Sequence, residues 1–93
     1  MNTIETGRFG PHPAMSWTGT DGELVLFDRD SGRYHTLNAS ASAIWRALED
    51  HASVAEIVTA ISANAPIPPA ILTCDVVEFL ERALAAGLVV AAE

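Results

Sequence analysis

Residues Glu23–Asn38, ELVLFDRDSGRYHTLN, decide how this chain folds. Leu24 and Leu26 alternate with Val25 and Phe27, so both faces are apolar, as in a strand with a neighbour on either side. Asp28–Gly32 turns the chain: Asp30 and Ser31 can bond the local backbone, and Gly32 takes a positive φ at low steric cost. A hairpin into Arg33–Leu37 follows. Here Tyr34 and Thr36 point one way, while Arg33, His35 and Leu37 point the other. A strand this short and polar belongs at a sheet edge. It has no obvious later partner, so another peptide can pair with its outer rim.

Working outward, Ala14–Thr18 reads as a preceding strand with Met15 and Trp17 on one face, and Gly19–Gly22 as the turn out of it. Residues 1–13 contain Gly7, Gly10, Pro11 and Pro13 with little periodicity. They read as a loose, flexible N-terminal arm that packing of Phe9 can order in part, leaving 14–93 as the domain. Met1–Pro13 also lacks the basic start and apolar stretch of a signal peptide.

Downstream, Asn38 is a good N-cap for a helix to about Glu49, with Ala41, Ile44, Trp45 and Leu48 on its buried stripe. Ser53–Glu56 is a capping-box pattern opening a second helix, with Val54, Ile57, Val58 and Ile61 inward. The prolines of Asn64–Pro69 end it. A third helix starts near Pro69 or Ala70 and runs to Ala86, with Gly87 at C′ and Leu88–Val90 as a short extended close. At about 100° per residue, Leu72, Val76, Phe79, Leu80 and Ala83 make one broad apolar face. Asp75, Arg82 and Ala86 lie along one margin of it, Val77 and Leu84 along the other. The stripe is wider than packing on two helices needs, so part of it is expected to line a groove. The fold class is α+β: a three-stranded antiparallel sheet followed by three helices.

Composition narrows the function. The 93 residues suit one small domain, and 49% of them are apolar, so a core can form. No apolar run approaches the roughly 18 residues of a membrane span, and a cytoplasmic protein is the default expectation. The chain has no lysine; five arginines, Arg8, Arg29, Arg33, Arg46 and Arg82, face twelve carboxylates for a net charge of −7. Nucleic-acid binding needs clustered cations, which these do not supply. The acidic balance favours a neutral or basic partner.

Catalytic patterns are missing as well. Cys74 stands alone and can form no internal disulfide. His12, His35 and His51 are far apart, with no ligands at metal spacing; His51, just past the first helix, suits the negative end of its dipole. The glycines at 19, 22 and 32 belong to turns, so no phosphate loop is present. Glu78 and Glu81 sit on the solvated side of the third helix. No catalytic residue, metal or cofactor is expected, and the chain does not read as an enzyme.

The ordered set L-V-L-F-D-x-x-S-G-R-Y-H-x-L-N, then I-W-x-A-L, S-V-A-E-I and D-V-x-x-F-L-x-x-L-x-x-x-G-L closely resembles the PqqD-like family. These are the RiPP recognition elements, which hold the leader part of ribosomally made precursor peptides. The resemblance covers about Met15 to Val90. It implies a winged-helix-like fold in which the leader adds as a strand beside the third strand, its side chains settling between that strand and the third helix. Carried over, the pairing edge is Arg33, Tyr34, His35, Thr36 and Leu37, and the cleft wall is drawn from Asp75, Val76, Phe79, Leu80, Arg82 and Ala83. The free-standing size and the GRYHTLN segment look most like the stand-alone leader-binding subunit of lasso-peptide pathways, which delivers the precursor to a separate leader peptidase. The resemblance implies leaders read partly through an aromatic and a proline.

The residues support strand addition independently: main-chain bonds give affinity and alternate side-chain pockets give selectivity. Asp75 suits a basic leader residue, and equally suits the first turns of a helix. Two other readings remain. One is a peptide chaperone feeding a radical or cyclising tailoring enzyme, since one fold serves several pathways. The other is a winged-helix nucleic-acid binder, against which the missing lysines argue. An open strand edge can also pair with its own copy, giving a homodimer.

Overall fold

Leu24 and Leu26 are buried at 3% and 0% exposure, and around them the core assembles. The computed structural model describes residues 7–20, 22–64 and 66–92. Outside them lie residues 1–6 of the expected arm, Asp21 of the Gly19–Gly22 turn and Ala65 of the Asn64–Pro69 break. The described residues form β1 (Arg8–Pro11), β2 (Met15–Thr20), β3 (Glu23–Asp28), β4 (Tyr34–Leu37), α1 (Ala39–Leu48), β5 (Ala52–Ser53), α2 (Val54–Ser62), α3 (Pro69–Ala86) and β6 (Val89–Ala92).

Strands β2, β3 and β4 make the expected antiparallel meander, with β3 central. Gly32 turns the hairpin at φ 75°, and the Asp28 carboxylate accepts from the N–H groups of Asp30 and Ser31. Leu24 and Leu26 face the helices. Val25 and Phe27 are half-buried on the outer face, where Phe27 packs on its cross-strand partner Tyr34 at 4.8 Å between ring centres. Trp17 stands on the inner side at the rim, its ring edge-on to Trp45 at 5.3 Å and its Nε1 donating to Glu49 Oε1.

A second sheet, not foreseen from the sequence, has the order β5-β1-β6 with both pairings antiparallel. Residues 8–11, read above as part of a loose arm, are its central strand. Phe9 is 2% exposed there, between Ala52 of β5 and Ala91 of β6. The closing segment after Gly87 is the partner strand β6. Arg8 ties this sheet to α2: its Nη1 lies 2.7 Å from Glu56 Oε1, and its Nη2 donates to the His51 carbonyl. His51, just past the end of α1, has a structural role in this sheet as well. It adopts φ 67°, and its ring lies against Gly10.

Helix α1 contacts both sheets and α2, and α3 packs on α2. Trp45, Leu48, Ile57, Val76 and Leu80 are fully buried among them. The caps are as expected. Asn38 Oδ1 accepts from Ala41 N–H at 2.9 Å, Ser53 and Glu56 close a capping box, and Gly87 ends α3 in the left-handed region at φ 76°.

Candidate functional site

The open edge of β4 is the feature on which a site can be built. In an antiparallel pair the residues alternate between bonding their partner strand and facing away from it. Asp28 N–H donates to Arg33 O, which puts Arg33, His35 and Leu37 on the β3-bonded side. The N–H and C=O of Tyr34 and Thr36 therefore point outward. Among the described residues no strand pairs with them.

One buried hydroxyl fixes the end of this edge. Ser42 Oγ, on α1, accepts from Leu24 N–H at 2.9 Å and donates to Leu37 O at 3.2 Å. Leu24 and Leu37 lie opposite each other in the ladder, so the serine closes the final rung and joins it to α1. Ser42 is fully buried. Sequence reasoning missed it, because a serine in an alanine-rich helix carries no signal of a bridging role.

Beside the edge lies a cleft of about 340 Å³, lined by His35, Thr36 and Leu37 of β4, by Asn38 and Ala41 where α1 begins, by Phe79, Arg82, Ala83 and Ala86 of α3, and by Leu88. Of the two margins of α3, the structure thus turns the Arg82–Ala86 margin toward β4. Six residues of the expected site meet here: His35, Thr36, Leu37, Phe79, Arg82 and Ala83. Arg33 precedes β4, and Tyr34 is 72% exposed on the outer face, packed on Phe27.

Three residues expected in the cleft wall do not line it. Leu80 is fully buried in the core, because it sits on the middle of the α3 stripe. Val76, also fully buried, and exposed Asp75 lie one turn toward the start of α3, at a separate depression of about 250 Å³ shared with Ile44, Ile61, Ile67 and Leu72. Asn38, Ala41, Ala86 and Leu88 line the cleft without having been anticipated there. Asn38 and Ala41 had been given only their helix-capping and packing roles.

The chemistry of the cleft is that of a binding surface. Its floor is apolar and its rim offers backbone groups, the His35 ring, the Asn38 amide and the Arg82 guanidinium. Among the described residues no group of three or more His, Cys, Asp or Glu side chains could hold a metal ion. None of their helices is long and apolar enough to cross a membrane.

The family profile described as Coenzyme PQQ synthesis protein D (PqqD) matches residues 23–89, from the start of β3 to β6. The chain belongs to the PqqD family. Two solved structures resemble this PqqD-family protein closely. One is TbiB1 in complex with the TbiA(beta) leader peptide: 30% identity, TM-score 0.79, covering 86% of this chain and 93% of that one. The other is a lasso peptide synthetase B1 complexed with the leader peptide: 26% identity, TM-score 0.76, covering 88% of this chain and 96% of that one. No curated protein matches the chain. The matched stretch contains β3, β4 and all three helices, and so every element that walls the cleft.

Proposed function

We propose that this PqqD-family protein binds the leader region of a ribosomally made precursor peptide as an added strand on β4, and presents it to a separate processing enzyme, a leader peptidase of a lasso-peptide pathway. The observation that carries the reading is the outward backbone of Tyr34 and Thr36 standing beside the cleft between β4 and α3. Strand addition supplies affinity through main-chain hydrogen bonds and leaves the rest of the precursor unread. Two proteins of similar fold, each solved with a leader peptide bound, support the same reading. The six expected residues that meet at the cleft are the proposed contacts, with Asn38, Ala41, Ala86 and Leu88 added to them; Tyr34 flanks the added strand on the outer face, and Arg33 lies just before β4.

Calorimetric titration with a synthetic leader from the precursor encoded in the same locus tests this. Binding near 1 µM, about −8 kcal/mol, is expected. Thr36→Pro removes an outward N–H from an edge strand, a place where proline is otherwise tolerated, and is expected to weaken binding sharply while the fold survives. A folded Thr36→Pro variant with full affinity would count against strand addition. Adding the candidate peptidase completes the test: cleavage of the precursor should depend on this protein, and should fall with the same substitution.

A further inference from the structure

The cleft has donors to spare and no carboxylate. The chain carries a net charge of −7, yet none of the cleft-lining residues is Asp or Glu, and the full positive charge among them is Arg82. Glu78 lies four residues before Arg82, the spacing at which helical ion pairs form. The ion pair found among the described residues is Arg8–Glu56 instead. Arg82 is therefore left for the cleft rather than neutralised along its own helix.

Asn38 adds to this. Its Oδ1 is committed to Ala41 N–H at 2.9 Å. Because that partner is a donor, the amide is oriented with Nδ2–H2 as the free end. The cleft thus holds a guanidinium and a primary amide, neither with an acceptor among the described residues. A carboxylate satisfies both kinds of donor, and its bonds to them are strengthened by charge.

We propose that the cleft selects, in the peptide it binds, an Asp or Glu side chain placed opposite Arg82. The inference rests on the peptide-binding reading above and adds a specificity to it. In an extended peptide alternate side chains face the cleft, so a single cleft-facing position carries the preference, and its immediate neighbours, on the outer face, are indifferent to charge. Attraction at this point runs against the overall acidity of the protein. A net basic peptide with one well-placed acid is the best match.

A display library of the same-locus leader, each position varied in turn through every amino acid, is selected against wild type, Arg82→Gln and Arg82→Glu. One position is expected to prefer Asp or Glu over Asn or Gln by about twofold to fivefold, the range for a solvent-exposed charged pair. The preference disappears in Arg82→Gln and turns to Lys or Arg in Arg82→Glu, while all three proteins melt alike. A wild-type protein that binds the leader with no acidic preference anywhere overturns the proposal. So does a preference that survives in Arg82→Gln. A leader that binds none of the three fails at the earlier step, the cleft as a peptide site.

Discussion

Ser42 shows how much can rest on one hydroxyl. Replacing it with alanine leaves Leu24 N–H and Leu37 O without their shared partner in a buried setting. A cost of about 1–3 kcal/mol is expected, read as a lower urea midpoint, together with weaker peptide binding as the end of β4 loosens. Gly10 is a second such position. An added Cβ would run into the His51 ring, and His51 itself holds φ 67°. Gly10→Ala is expected to lose about 1–3 kcal/mol by overpacking. Adding His51→Gly, which removes the ring and relieves the left-handed backbone, should recover part of that loss in a double-mutant melt. Neither residue announces itself in the sequence. Each role depends on a neighbour far along the chain that local pattern does not reveal.

At the level of elements, much more was legible. The hairpin through Gly32, the Asn38 cap, the Ser53–Glu56 box and the Gly87 stop are local devices, and they stand where the sequence puts them. The face of α3 was legible too, but not what each part of it meets. Phe79 and Leu80 are adjacent, yet Phe79 lines the cleft and Leu80 is sealed in the core. Their alanine variants should separate accordingly. Leu80→Ala is expected to cost about 2–5 kcal/mol of stability, seen in denaturant melts. Phe79→Ala should cost less stability, and at temperatures where it is folded should weaken leader binding in titrations. A helical wheel sorts side chains by angle, whereas the site depends on where along the axis a neighbouring strand stops. That is why Asp75, on the same margin as Arg82, falls at a different depression.

For the molecule as a whole, acid should be the weak side. The Ser53 N–H, and then the Arg8 charge, hold the Glu56 carboxyl below its ordinary 4.5. Partial burial pushes Asp28 up, but bonds from Asp30 N–H and from Ser31 outweigh it and hold it below 3.8. A depressed carboxylate binds protons less readily folded than unfolded. Its contribution is present above the ordinary value and is lost as pH falls through the folded one. Melting temperature is therefore expected to drop between about pH 5 and pH 3, with a shallower drop in Glu56→Gln. The second sheet was the part of the architecture that sequence did not reveal. Its strands are short, Pro11 ends one of them, and β1 pairs with residues 89–92 across nearly the full chain, a match that no local periodicity can signal.

That pairing has a practical consequence for anyone preparing the protein. Leu88 lines the cleft, and its carbonyl is held by His12 N–H at 2.9 Å, just before β6 zips onto β1. A shortened version beginning at Ala14, the boundary that composition suggests, would strip the keystone from β5 and β6 and unseat Leu88. Such a trimmed protein is expected to give a false negative in a peptide-capture assay, through damage that starts in the second sheet rather than in the strand proposed to take the peptide.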